Sequence, residues 1–383
     1  PRLGTRLVGA SEGHCMKESY LADAIDPARV RRALVIKLRH HGDVLLTSPL
    51  FTVLAEQIPG IEIDALVYAD TAPMLEDHPC ITQVHGIDRS WNRQGLKVQW
   101  QQERALQQRL RRRSYDLIIH LTEHARGARL VRRLKPGYSL ARRCRAKRGN
   151  WWRRSFTHTF TIPKKPRHTI EVHLDALRRL GLYPDMAHRR LVIEPGVAAT
   201  ARAEQLLEQF SLPADGYLLI HPTSRWLFKG WSRKGFARLI DGLHEAGHKL
   251  IMTAAPDDRE MEIARAILDM CNAPVVDLAG QLSLKELAAL IDRASCFIGL
   301  DSVPMHIAAA TSTPCVALFG PSDEQTWGPW MVPHRVVSNS FSCRPCGLDG
   351  CGNGKVSDCL MAIQPEQAIS AVEALLAEAG RDY

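Results

Sequence analysis

The sequence predicts an α/β protein made of two doubly wound domains that face each other across a cleft. Three observations carry this. The chain has 383 residues, which suits two domains of roughly 150–200 residues better than one. Apolar strand-like runs alternate with amphipathic helical stretches in two successive series. Each series also contains a strand–turn–helix–strand unit, the crossover that a parallel sheet requires. A composition of 45% hydrophobic and 24% charged residues is globular and can fill two cores.

Up to about Arg29 no period is visible, and residues 1–28 are expected to be a loosely ordered extension, with Met16 a candidate start. From there ALVIKL (33–38) reads as a buried strand, HHGD as a turn, 44–58 as one helix, and IEIDALVY after Pro59-Gly60 as the next strand. A polar-faced helix over 99–113, a strand over 116–121 and an Arg-rich helix follow. The helix over 168–182 ends at Gly181, and 183–195 has a loop's composition, so the boundary is placed between domains 29–185 and 186–383. The second series then runs as helix 199–210, strand 217–221, loop 222–231, helix 232–246, strand 249–254, helix 257–270, strand 274–278 and helix 283–293. It continues into the strand 296–300, a turn at Asp301-Ser302, a helix entered through Pro304, a Thr/Pro break, and the strand 315–319. One more amphipathic helix, 364–379, ends the pattern.

No apolar run approaches the ~18 residues of a membrane helix, and the first twenty residues lack a signal peptide's hydrophobic segment, so a cytoplasmic protein is expected. The ten cysteines agree with a reducing compartment, since Cys271, Cys296 and Cys315 fall in what read as apolar strands rather than in a disulfide framework. The net charge of +9 is concentrated: residues 101–154 hold seventeen Lys/Arg against three acidic residues, and the remainder is net acidic. Such a field concentrates anionic partners, whether anionic lipid, phosphorylated glycan or nucleic acid, although a solvated surface is the plainer reading. Trp151-Trp152, set among Arg148, Arg153 and Arg154, reads as a surface loop with exposed aromatics suited to a membrane headgroup layer; packing of the indoles onto the domain is the competing reading.

The chemistry gathers at strand-to-helix turns. Ser302 sits where a helix cap belongs, beside free backbone N–H groups and the positive end of the helix dipole, a natural seat for a diphosphate. His306, four residues on, faces the same mouth; simple capping by Asp301 and Ser302 is the alternative. The loop His221–Trp231 carries Thr223, Ser224, Arg225 and Lys229 where an α/β domain binds phosphate. In the first domain the turn Lys37-Leu38-Arg39-His40-His41-Gly42-Asp43 offers a carboxylate at a helix entrance, either an N-cap or a general base. Cys343, Cys346, Cys351 and Cys359 lie within seventeen residues, a spacing open to a structural zinc site or to unligated thiols. HEAGH at 244–248 matches a metalloprotease pattern, but Gly247 ends the helix that the pattern needs. GNGK at 352–355 lacks the remainder of a phosphate-binding loop and is likewise set aside.

Taken together, IKLRHHGDVLLTSPLF, the LIIHLT strand, HPTSRWLFKGW and IGLDSVPMHIAAATSTPCVALFGPSDEQTWGPW resemble the lipopolysaccharide heptosyltransferases of glycosyltransferase family 9, and the first motif is most similar to the heptosyltransferase III branch. The resemblance spans residues 31 to the C-terminal helix. It implies a GT-B fold of two Rossmann-like domains, ADP-heptose as donor, the inner-core heptose of lipopolysaccharide as acceptor, and inversion at the anomeric carbon with no cofactor and no catalytic metal. It implies Asp43 as general base with Lys229 assisting catalysis. Thr223, Ser224, Arg225 and Lys229 would meet the donor from one loop, and Asp301, Ser302, Val303, His306 and Gly320 from the other. Arg39, His40, His41, Gly42 and Arg126 are expected on the acceptor side. Val303 departs from the small residue usual after the Asp-Ser pair. The implied setting is the cytoplasmic face of the bacterial inner membrane, held peripherally by its anionic surface. A heptosyltransferase I or II activity, or another ADP-sugar transferase of the family, is the nearest alternative. A basic nucleic-acid-binding protein with a four-cysteine zinc module is the alternative of another class; against it, the basic residues avoid the cysteines.

Overall fold

Parallel strands covered by helices on both faces have no wet side, so they read as unbroken apolar runs rather than as alternating ones. The computed structural model describes residues 21–143, 149–162 and 164–379, and such runs become strands in two sheets. The first contains β1 (Arg32–Ile36), β2 (Glu62–Tyr68), β3 (Gln83–Ile87), β4 (Leu117–His120), β5 (Tyr138–Arg142) and β6 (His158–Phe160) in the order β3-β2-β1-β4-β5-β6. The second contains β7 (Leu218–His221), β8 (Leu250–Met252), β9 (Val276–Asp277), β10 (Cys296–Leu300), β11 (Cys315–Leu318) and β12 (His334–Val337) in the order β9-β8-β7-β10-β11-β12. The two orders are the same. Each sheet is parallel, with Val35 opposite Ala65 and Ile119 in the first and Ile298 opposite Ile220 and Val316 in the second.

The helices alternate with these strands. The first half carries α1 (His41–Leu45), α2 (Ser48–Gln57), α3 (Leu96–Arg113), α4 (Ala125–Leu134), α5 (Gly149–Arg153) and α6 (Thr169–Arg179). The second carries α7 (Val197–Gln209), α8 (Arg233–Glu245), α9 (Asp258–Leu268), α10 (Leu284–Asp292), α11 (Val303–Ala310), α12 (Glu324–Trp327), α13 (Asp358–Met361) and α14 (Pro365–Ala379). Strand order reverses direction between β1 and β4 and again between β7 and β10. At such switch points the connections diverge to opposite faces and leave a crevice at the carboxyl ends of the strands. The halves also touch: His168 donates from Nε2 to the Gly328 carbonyl at 3.0 Å, and the Thr169 hydroxyl donates to the Thr326 carbonyl at 3.0 Å.

Several expectations are corrected. The HHGD stretch is not a turn, because α1 already begins at His41. The helix expected over 44–58 is two helices, since Pro49 has no N–H to give and its ring would clash with the carbonyl four residues back. Residues 21–28 are not a loose extension: Ile25 is buried and donates its N–H to Leu180, and Asp23 pairs with Arg179. Residues 1–20 lie outside the described residues. Trp152 is not an exposed aromatic on a loop. It lies in α5 at 2% exposure, packs on His120 and Phe156, and donates its indole N–H to the Arg142 carbonyl at 3.0 Å, while Trp151 stays exposed. Cys271 lies in the turn after α9 rather than in a strand.

Candidate active site

Both switch points open into one cavity of about 650 Å³. The wall from the first half is built by the turn after β1. His40 occupies the N-cap position of α1 but makes no capping bond, and Asp43 stands inside the first turn. The N-cap duty considered for Asp43 is therefore excluded by its position, and its carboxylate lines the cavity. Behind it lies Lys37, buried, with Nζ 3.6 Å from Asp43 Oδ1 and 3.0 Å from His173 Nε2. His41 donates from Nε2 to the Asp70 carbonyl at 2.7 Å, which fixes its ring, and it too lines the cavity.

The facing wall comes from the loop after β7 and the start of α11. Ser302 holds the N-cap position with extended backbone and no side-chain capping bond. Its buried hydroxyl, and the buried Nδ1 of His306, find no hydrogen-bond partner among the described residues. Burying such groups unpaired costs on the order of 1–3 kcal/mol each, and both residues border the cavity. Burial brings the His306 imidazole down to about 4, so the ring is neutral. Lys229 ends a short 3-10 turn, Leu227–Lys229, and its ammonium donates to Asp301 Oδ2 at 2.6 Å. Asp301 is thus the counter-ion of Lys229, and both residues line the cavity. The Thr223 hydroxyl donates to Glu260 Oε2 at 2.6 Å, and Ser224 lies beside it in the cavity.

The walls meet closely. A Cβ on Gly42 would lie 3.1 Å from His306 Cδ2 and 3.7 Å from Val303 Cγ2, so glycine permits this approach and Val303 spends its bulk on the opposite domain. Arg225 reaches across to His40, Nη1 to Nδ1 at 3.2 Å, and Trp226 meets the His40 ring edge-on.

Not every expected residue gathers here. The Gly320 carbonyl accepts from Arg344 Nε at 2.6 Å, away from the cavity lining. Arg39 is also outside that lining, its carbonyl accepting from Arg89, and Arg126 is paired with Glu103 on α3. The four thiols at 343, 346, 351 and 359 do not converge. Among the described residues the group close enough to share an ion is Glu56, Asp185 and His188. HEAGH is no metal site either, for α8 stops at Glu245, Gly247 has φ +95°, and His248 pairs with Glu373. Unforeseen members are Glu260, whose carboxyl pKa is raised by burial, and the apolar Leu282, Leu284 and Leu287. The pairing of Thr223 with Glu260 joins the loop after β7 to the first turn of α9, and no local pattern announces it.

Two Rossmann-like domains that share one cavity at the carboxyl ends of their strands form the architecture of the GT-B class of sugar-nucleotide transferases. The chain belongs to glycosyltransferase family 9 (heptosyltransferase), whose sequence profile matches residues 103–357. It is 33% identical over 345 residues to lipopolysaccharide heptosyltransferase 3 of Escherichia coli K12, covering 89% of this chain and 97% of that one. In fold it resembles the glycosyl transferase family 9 protein from Veillonella parvula, with TM-score 0.79 and 22% identity over 91% and 98% of the two chains. It also resembles the E. coli ADP-heptose LPS heptosyltransferase II, with TM-score 0.72 and 20% identity over 91% and 99%.

Proposed function

We propose that this protein transfers L-glycero-D-manno-heptose from ADP-heptose to an inner-core heptose of lipopolysaccharide, in the manner of heptosyltransferase 3, with inversion. The observation that carries the reading is one cavity lined by the carboxylate residue Asp43 from the first half of the chain and by Ser302 and Lys229 from the second. Asp43 takes the proton of the acceptor hydroxyl as that oxygen attacks the anomeric carbon. The sugar gains oxocarbenium character, and the bond to the diphosphate breaks. Lys229, Ser302 and the first amides of α11 stabilise the charge growing on ADP, work done elsewhere by a metal ion, so none is required here. The apolar lining residues Leu282, Leu284 and Leu287 suit the adenine, and Glu260 the ribose hydroxyls. Residues 29–185 form the acceptor domain and 186–383 the donor domain. Calorimetric titration should show binding of ADP and ADP-heptose, no comparable binding of UDP-sugars, and no change with chelator. Absent binding, or binding abolished by chelator, would overturn the reading.

The acceptor is a membrane glycolipid, and the first domain offers a surface for the anionic inner leaflet of the bacterial inner membrane. α3 follows β3 and α4 follows β4, so both begin at the carboxyl edge of the sheet, the edge that carries Asp43. Trp100, 61% exposed, carries the Arg104 guanidinium 5.2 Å above its ring, and exposed Trp151 has Arg132 at 6.0 Å. Exposed indoles beside cations suit a headgroup layer. The protein should sediment with anionic vesicles in a salt-sensitive way and lose most of that binding in Trp100→Ala/Trp151→Ala. Equal loss with neutral vesicles, or a preference for RNA, would count against this surface.

A further inference from the structure

The turn that presents Asp43 is built over a buried cation. Lys37 follows β1, its backbone N–H bonded to the Leu66 carbonyl at 3.0 Å, and it retains only 5% exposure. A solitary ammonium in that position costs several kcal/mol unless it is paired and hydrogen-bonded. It has two partners of different kinds. His173 Nδ1 donates to the Leu46 carbonyl at 3.0 Å, which fixes the tautomer and leaves the Nε2 lone pair to accept from Lys37 Nζ at 3.0 Å. The imidazole therefore binds the ammonium without neutralising it. The charge is answered by Asp43, whose Oδ1 is 3.6 Å away.

We propose that Lys37, steered by His173, is a positioning residue for Asp43: it holds Oδ1 from behind and keeps the other oxygen aimed into the cavity at the acceptor hydroxyl. The proposal rests on the reading of Asp43 as general base. Lys37 keeps its own protons throughout, and the acceptor's proton goes to the free oxygen of Asp43. A base displaced by about 1 Å loses on the order of 10² in rate, which is the scale of the expected contribution.

The charges facing Lys37 give this arrangement a signature. Burial pulls the Lys37 ammonium down to about 8; Asp43 on α1 opposes that shift, while Arg39 of the same turn and Arg142 of β5 add to it. His173 on α6 stays neutral, held well below the usual imidazole range by burial and by Lys37, with a smaller push from His168. As pH rises through about 8, Lys37 becomes neutral and the hold on Asp43 is released. Because the folded-state value lies below the unfolded one, the folded chain gives up this proton first, and this group's contribution to stability rises over the same interval. Loss of rate should thus accompany a gain, not a loss, of stability.

The test is a mutant cycle on kcat with saturating donor and acceptor, joined to ADP titration. Lys37→Met should lower kcat on the order of 10²-fold and leave ADP affinity unchanged. In an Asp43→Asn background the same change should cost no more than about twofold, because a residue acting through Asp43 has nothing left to position. Normal kcat in Lys37→Met, or a full further loss in the Asn background, would overturn the proposal while leaving Asp43 as base. Near-normal turnover by Asp43→Asn alone would instead remove the base. If Lys37→Met fails to fold, the unmodified protein still decides: kcat falling as pH rises through about 8, with no fall in melting temperature, is required, and a profile flat to about pH 9.5 refutes the role.

Discussion

Asp43→Asn is expected to bind ADP and ADP-heptose as tightly as the unmodified protein while losing on the order of 10²–10⁴ in kcat, the range for removal of a general base. Asparagine keeps the shape and the hydrogen-bonding reach of the side chain but cannot accept the acceptor's proton. The donor contacts belong to the other wall, so donor affinity has no reason to change. The substitution does remove the counter-charge of buried Lys37. Leaving a buried ion unpaired can cost on the order of 3–5 kcal/mol, but this ammonium is already lowered to about 8 and can shed its proton instead of remaining charged. Asp43 is itself 25% exposed and borders the cavity, so water can replace what the carboxylate supplied. The variant should therefore fold. Single-turnover kinetics and calorimetry on one preparation separate the two effects. Turnover near normal would take Asp43 out of the mechanism, and lost ADP affinity would mean that the wall itself had been disturbed.

The sequence revealed whatever is local or periodic. Parallel strands are apolar on both faces, so β1, β7, β10 and β11 could be read within a residue or two, and Pro304 announced the start of α11. Asp43 and Ser302 were legible because strand-to-helix turns at switch points are where such folds bind ligands. What escaped depends on residues distant in the chain. Lys37 stood inside the recognised motif, but its role is set by His173, 136 positions away. The partnership of Lys229 with Asp301 spans 72 positions and that of Thr223 with Glu260 spans 37. Of the two readings of the Trp pair, packing holds for Trp152, and the sequence could not decide it because the partners that bury the indole include His120 of β4 and the Arg142 carbonyl of β5. The division between α1 and α2 did have a signal in Pro49, which the continuous apolar pattern around it obscured.

Lys229→Ala should weaken ADP binding by roughly 10–100-fold, as expected for loss of a charge-assisted contact of about 1.5–3 kcal/mol. It should also lower stability, for a different reason. Asp301 is 5% exposed and receives the Lys229 ammonium at 2.6 Å, so the alanine variant leaves a buried carboxylate without its cation, a cost on the order of 3–5 kcal/mol. Affinity and stability can be separated by adding Asp301→Asn. The double variant has no uncompensated charge and should regain most of the melting temperature, yet ADP binding should stay weak because the cation is still missing. Asp301→Asn alone should leave ADP binding at least as tight, since the carboxylate competes with the diphosphate for the same ammonium. If the double variant recovers ADP affinity along with stability, then Lys229 serves only to neutralise Asp301, and the diphosphate must be held by Ser302 and the amides of α11 without it.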